Sequence, residues 1–344
     1  MTARNATASS LSYRPELDGL RALAIIAVIA QHINLPSTTL AGMVGVNLFF
    51  VLSGYLITRI LATELRQTGR IDLRRFYERR VRRLVPGLVA LLVATGFLMA
   101  FQGRLWQYLG PAFVSLFYVS DVAKSIGFDL GYVGHTWSLA VEEQFYLIWP
   151  ALLLFLPRRF LLPVIGIGIA VAVAMQVVVV GFQDNVLGHF RPDVRADAIL
   201  WGCLIALVPI KVPRWAAATA LAGLVVLSLT YLWPYAIALS SVFSAVLVAG
   251  ASTLARPLSW RPLVRIGQIS YGLYLWHAIP YGLFEQRTMA GDVSAMVAVV
   301  VLTFGLALLS ERFIERPFRR PRTTQPRVVT LDKVPEPMRP ARAY

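Results

Sequence analysis

Three groups of ionisable residues stand inside otherwise apolar stretches of this chain, where charge is costly and is retained mainly for function. Arg21 and His32 bracket the first stretch. Eleven residues at 100° each carry a helix about 20° past three full turns, so both side chains share one face, roughly 16 Å apart along the axis. Glu142 and Glu143 enter a second stretch that opens with His135-Thr-Trp-Ser-Leu-Ala-Val. There Ser138, Glu142, Phe145, Tyr146 and Trp149 recur at helical spacing and form one stripe. Arg195 and Asp197 begin the third, in Arg-Ala-Asp-Ala-Ile-Leu-Trp-Gly.

An imidazole near a carboxylate is what general-base catalysis needs, because the carboxylate orients the ring and stabilises the imidazolium that forms. His32 with Glu142 is therefore the candidate catalytic pair, and Arg195, Asp197 and His135 are candidate contacts for a polar substrate. Structural alternatives stand beside each reading. Arg21 can snorkel to headgroups, His32 can be a hydrogen-bonded helix-end residue, and Glu142 can belong to a buried ion pair. Arg195 and Asp197 can simply pair with each other. His277 ends the aromatic run Ser270-Tyr-Gly-Leu-Tyr-Leu-Trp and reads as structural. None of the four histidines has zincin-like spacing to another, so no metal site is expected.

The elements that must position these groups are membrane helices. Of 344 residues 57% are hydrophobic and 15% charged, against about 25% charged in a soluble domain. That excludes a soluble enzyme and a disordered chain. A single cysteine, Cys203, excludes an intrachain disulfide and a cysteine metal cluster. Segments of roughly 20 apolar residues span the hydrocarbon core. Such segments are expected near 20–35, 42–62, 85–101, 137–156, 160–182, 195–210, 215–232, 235–254, 264–284 and 293–312, giving an all-α bundle of about ten transmembrane helices. The short stretch 109–122, broken by Pro111 and Asp121, reads as re-entrant or interfacial. The glycines Gly42, Gly45 and Gly54, with Ser53, suit close helix packing.

The net charge of +15 comes from 33 basic and 18 acidic residues. With ten crossings and both termini cytoplasmic, the inner segments collect every base except Arg104, Lys124, Arg191, Arg195 and Arg287. Cytoplasmic loops carry just such an excess, so membrane orientation rather than nucleic-acid binding accounts for the charge. Residues 1–13 form a cytoplasmic arm, 14–320 the membrane domain, and the Pro- and Arg-rich residues 321–344 a disordered tail. The basic amphipathic stretch 72–84 reads as lying on the inner leaflet, either anchored on anionic lipid or holding phosphate through paired arginine donors.

These residues resemble the acyltransferase-3 family of integral membrane O-acyltransferases. The resemblance rests on Arg14-Pro-Glu-Leu-Asp-Gly-Leu-Arg21 followed by His32, on Gly45-Val-Asn-Leu-Phe-Phe-Val-Leu-Ser-Gly-Tyr-Leu-Ile57, and on Arg80-Val-Arg-Arg83. Trp137 to Tyr146, Arg195-x-Asp197, Tyr271 to His277 and Glu315-Arg-Pro-Phe318 follow in the family's order. The family implies acyl-CoA, such as acetyl-CoA, as co-substrate with no bound cofactor, and a sugar hydroxyl of a glycan, glycolipid or macrolide as acceptor. It also implies a multi-pass protein of the bacterial cell membrane, in contact with membrane lipids. By the same resemblance Arg21, Arg80 and Arg83 would bind the donor. His32, oriented by Glu142, would deprotonate the acceptor, either for direct transfer or by way of an acyl-histidine. Some members carry an additional hydrolase-like outer domain, and this chain is expected to act as the membrane core alone. The competing expectations are a transporter or flippase for a glycan or lipid-linked sugar, and an accessory subunit with a decayed site.

Overall fold

A computed structural model describes residues 13–183, 186–208, 210–230 and 235–318. The arm before residue 13 and the tail expected over 321–344 lie outside the described residues. Every described element is helical.

The first helix, α1 (Pro15–His32), starts with proline at its first position and places Glu16 and Asp18 in its first turn. Proline has no amide hydrogen to leave unpaired there, and the carboxylates complement the positive end of the helix dipole. Next, α2 (Ala41–Thr68) stops at Gly69, whose φ of 72° is left-handed. Asp72 then caps α3 (Leu73–Phe101) by accepting from the Arg75 amide at 2.9 Å. The helices α4 (Leu105–Leu116) and α5 (Ser120–Ser125) follow, then a 3-10 turn over Gly131–Thr136 and α6 (Trp137–Phe155). The chain continues with α7 (Arg158–Met175), which widens into π turns over Gln176–Phe182, and with α8 (Pro192–Leu207), α9 (Arg214–Leu229) and α10 (Ala236–Ala249). The last elements are α11 (Ala255–Leu258), α12 (Arg261–Gln268), α13 (Ser270–Trp276), α14 (Ala278–Met289) and α15 (Val293–Ser310).

Five helices among the described residues are long and apolar enough to cross a membrane: Ala41–Thr68, Leu73–Phe101, Gly131–Phe155, Arg159–Phe182 and Val293–Phe318. A sixth is reached if α10 and Ala251–Leu258, bent by 70°, count as one span. The expected ten are therefore not all present as full-length apolar helices. The first expected span, α1, carries Glu16, Asp18 and Arg21, while α8 and α9 have 16 residues each. The stretch 264–284 is divided among α12, α13 and α14. A helix enclosed by other helices can be short and charged, because its neighbours rather than lipid satisfy it.

The basic stretch 72–84 is continuous with the span after it: from the Asp72 cap it forms the first part of α3, which runs through Pro86 into the apolar part without a break. The stretch 109–122 is a 12-residue α4 and a 6-residue α5, parted at Tyr118, whose φ is 53°.

At the centre lies α2, with 72% of its apolar window buried, against 28% for Arg159–Phe182. Two glycines let α2 and α8 touch backbone to backbone. A Cβ on Gly54 would meet the Ile199 carbonyl, and one on Gly202 would meet that of Val51. Outside this core, Val93, Phe97, Leu147, Ile148, Ile167 and Val301 are exposed. Exposed apolar side chains of this kind on long apolar helices suit contact with lipid.

Candidate active site

His32 is the last residue of α1, and its ring is held from within its own helix. Nδ1 lies 2.8 Å from the Val28 carbonyl oxygen. A carbonyl can only accept, so Nδ1 carries the proton and Nε2 keeps its lone pair. That is the tautomer a general base needs.

Two more imidazoles continue from this ring in a chain of contacts. His277, at the junction of α13 and α14, stands edge-to-face with His32 at 4.6 Å between centroids. His135, in the turn before α6, stands likewise 5.0 Å from His277. Both are buried. His277 Nδ1 donates to the Tyr274 carbonyl at 2.6 Å, leaving Nε2 buried without a partner. Tyr274 fixes the group from below. Its hydroxyl donates to the His135 carbonyl at 2.8 Å and lies 2.5 Å from Ser138 Oγ. On the other side Tyr281 of α14 packs 5.5 Å from His32, and its hydroxyl donates to Glu285 at 3.0 Å. Among the described residues no three His, Cys, Asp or Glu side chains are placed to hold a metal ion.

Glu142 is not the partner of His32. Ser53 of α2 donates to its Oε1 at 2.8 Å, and the Tyr146 hydroxyl faces Oε2 at 3.5 Å. Glu142 lies about 7.5 Å along α6 from Trp137, at 1.5 Å per residue, on the stripe that faces α2, where Ser53 and Tyr146 take up its two oxygens. Glu142 instead belongs with the arginines. The Arg80 guanidinium lies over the Tyr146 ring, 3.1 Å from its centroid, and pairs with Glu143 at 3.3 Å. Both partners are partly buried, and the ring face adds cation–π attraction. Arg83 lies three residues further along α3 and is exposed. Arg21 donates to Asp18 at 3.0 Å, near the start of α1 and a helix length from His32. The arginines expected at the donor and the imidazoles thus occupy separate levels of the bundle.

Arg195 and Asp197 are fully buried on α8. Arg195 donates to Asn47 Oδ1, between the rings of Phe50 and Trp137, each 5.6 Å from the guanidinium carbon. Asn47 in turn donates to Ser240 Oγ at 2.6 Å and to the Ile237 carbonyl at 2.9 Å. Arg195 Nε and Nη1 and both Asp197 oxygens lack a hydrogen-bond partner. The two side chains therefore stand one layer inside the bundle and do not pair with each other. Closer to the surface, burial pushes the Lys124 ammonium of α5 down to about 8, against a smaller opposing pull from Asp129. This group lies 4.2 Å from the Phe190 ring centre.

Sequence reasoning assigned no chemistry to His277, Ser53, Tyr146 or Tyr281. One signal was available for His277, since the expected ten-crossing topology would put it at the same end of the bundle as His32 and His135.

The described chain is thus all helical, with five helices long and apolar enough to cross a membrane and three imidazoles gathered between helix ends. The chain belongs to the acyltransferase-3 family, whose model, described as an acyltransferase domain, matches residues 14–312. It is 36% identical to the peptidoglycan O-acetyltransferase OatA of Listeria monocytogenes, over 92% of this chain and 57% of that protein. It is 33% identical to the O-acetyltransferase OatA of Staphylococcus aureus, over 90% of this chain and 57% of the relative. To the putative peptidoglycan O-acetyltransferase YrhL of Bacillus subtilis it is 35% identical, over 89% and 55%. The chain thus spans little more than half the length of these relatives. No solved structure matches it.

Proposed function

We propose that the chain is a membrane-embedded O-acyltransferase that moves an acetyl or other short acyl group from acyl-CoA to a sugar hydroxyl. The names of the relatives favour a cell-wall glycan over a macrolide sugar as acceptor. In this reading the chain crosses a bacterial cell membrane ten times with both termini cytoplasmic.

The observation that carries the reading is the state of His32, a partly buried ring with Nδ1 committed to Val28 and Nε2 left with its lone pair. Nε2 takes the proton of the acceptor hydroxyl as its oxygen attacks the thioester carbonyl. The C–S bond then breaks, and the departing thiolate takes the same proton, so that His32 ends neutral. Arg80 and Arg83, with Arg21, supply donors for the phosphates of acyl-CoA. Glu142 acts from the donor side by holding Tyr146, the ring on which Arg80 rests. His135 serves the acceptor, and Arg195 and Asp197 serve it only if the acceptor enters their layer.

Purified protein given radiolabelled acetyl-CoA and a glycan should label the glycan, and His32→Ala should abolish the labelling. Passage of unmodified glycan across proteoliposomes, with no thioester consumed, would overturn the proposal.

A further inference from the structure

The three-imidazole cluster contains more polar capacity than the base requires. His277 is the informative member. Its Nδ1 is committed to Tyr274, and its Nε2 is sealed from solvent with no partner, beside the His32 ring. A buried lone pair without a donor is unfavourable, and native structures rarely keep one unless something polar visits it. No neighbour donates to it, and the His135 ring 5.0 Å away has both its nitrogens buried without a partner as well. Tyr274 spends its hydroxyl proton on His135, and Tyr281 spends its own on Glu285. No metal site is formed among the described residues. What is missing is a hydrogen-bond donor within reach of His277 while His32 receives a hydroxyl.

We propose that His277 contacts the acceptor, its Nε2 accepting a hydrogen bond from a second hydroxyl next to the one that His32 deprotonates. The site therefore selects an acceptor with neighbouring hydroxyl groups and rejects an isolated alcohol. A ring of a polyhydroxylated sugar fits the surroundings. The Tyr281 ring beside His32 gives its apolar face a surface, and Asn34 and Glu285 supply a polar rim above it. Two hydrogen bonds fix the reacting oxygen better than one, because a hydroxyl held only by its base can still swing away from the thioester. Acylation changes nothing at His277, which remains neutral and unmodified.

This inference rests on the acyltransferase reading, and the experiment separates the two. Wild type, His277→Gln and His277→Phe are assayed in proteoliposomes with acetyl-CoA and a soluble N-acetylglucosamine oligosaccharide. Glutamine keeps an acceptor atom on a side chain of similar reach, whereas phenylalanine keeps the ring and loses the lone pair. The KM for the oligosaccharide should rise about tenfold in His277→Phe, equivalent to about 1.4 kcal/mol, and stay within threefold of wild type in His277→Gln. The KM for acetyl-CoA should not move in either. Wild type should also acetylate the oligosaccharide far better than a simple primary alcohol, a preference that His277→Phe reduces. Equal loss in both variants with unchanged acceptor KM, or lower thermal stability as the sole effect, would make His277 a packing residue and overturn the inference. If His277→Phe does not fold, an acceptor KM raised more than threefold in the folded His277→Gln overturns it as well. A wild type that transfers nothing from acetyl-CoA would instead remove the acyltransferase reading, and this inference with it.

Discussion

Ser53, not His32, is the residue that holds Glu142: its Oγ donates to Oε1 at 2.8 Å across the contact between α2 and α6. This moves Glu142 from the base to the level of Arg80, and it changes what substitution there should do. Glu142→Gln has the same shape and still accepts from Ser53, so the fold should survive. The amide cannot accept from the Tyr146 hydroxyl at its nitrogen, which loosens the ring beneath Arg80. The KM for acetyl-CoA should rise and carry most of an approximately tenfold fall in kcat/KM, about 1.4 kcal/mol. A loss confined to kcat, with KM unchanged, would return Glu142 to His32.

The paired substitution Arg80→Ala with Arg83→Ala tests the donor end directly. Losing two guanidinium groups should raise the KM for acetyl-CoA by about tenfold or more, as charge-assisted hydrogen bonds contribute roughly 1.5–3 kcal/mol each. Arg80→Lys should recover only part of the loss, because an ammonium can neither donate in a planar pair nor lie flat over Tyr146. Weaker binding to anionic vesicles at an unchanged KM would leave these arginines as a lipid anchor.

The elements read from the sequence were those set by local pattern. The 100° arithmetic from Arg21 to His32 holds because α1 is unbroken from Pro15 to His32. The glycines of α2 mark close contacts, as small residues at such spacing predict. What was not legible is which helix faces which. His135 and His277 are separated by 142 positions along the chain, and no periodicity relates them, so their meeting beside His32 had no local signature. For the same reason His32 and Glu142 could be assigned to one end of the bundle but not to different neighbours. The length of α3 was missed for another reason. The change at Leu84 from basic to apolar composition suggested a boundary, yet α3 carries both parts through Pro86 unbroken, as membrane helices do where neighbouring groups satisfy the freed backbone.

The Asn47–Arg195 contact calls for a test of its own. Arg195→Ala would remove the donor to Asn47 Oδ1 and the filling between Phe50 and Trp137, deep in the interface of α2 and α8. An emptied buried site with an unpaired carbonyl oxygen should cost about 3 kcal/mol or more, read as a clear fall in Tm in detergent. Arg195→Lys should recover some of that stability. If either folded variant instead shows an unaltered Tm and a raised KM for the glycan, Arg195 touches the acceptor and the bundle opens to its layer.

Lys124 gives a prediction in pH. Burial lowers its folded pKa to about 8 from the ordinary lysine value of 10.5, because the ammonium is poorly solvated where it lies against Phe190. Below pH 8 both folded and unfolded chains carry the proton, and the folded state bears the full cost of enclosing the charge. Between about 8 and 10.5 the folded chain releases the proton while the unfolded chain still holds it, so stability rises with pH across that window. Above 10.5 both are neutral and the gain is complete. Lys124→Met has no proton to lose and should be the more stable protein at neutral pH. Unfolding followed by Tm from pH 7 to 10 should show the two proteins converging as pH rises. Parallel curves would mean that the Lys124 ammonium is as well solvated in the folded chain as in the unfolded one.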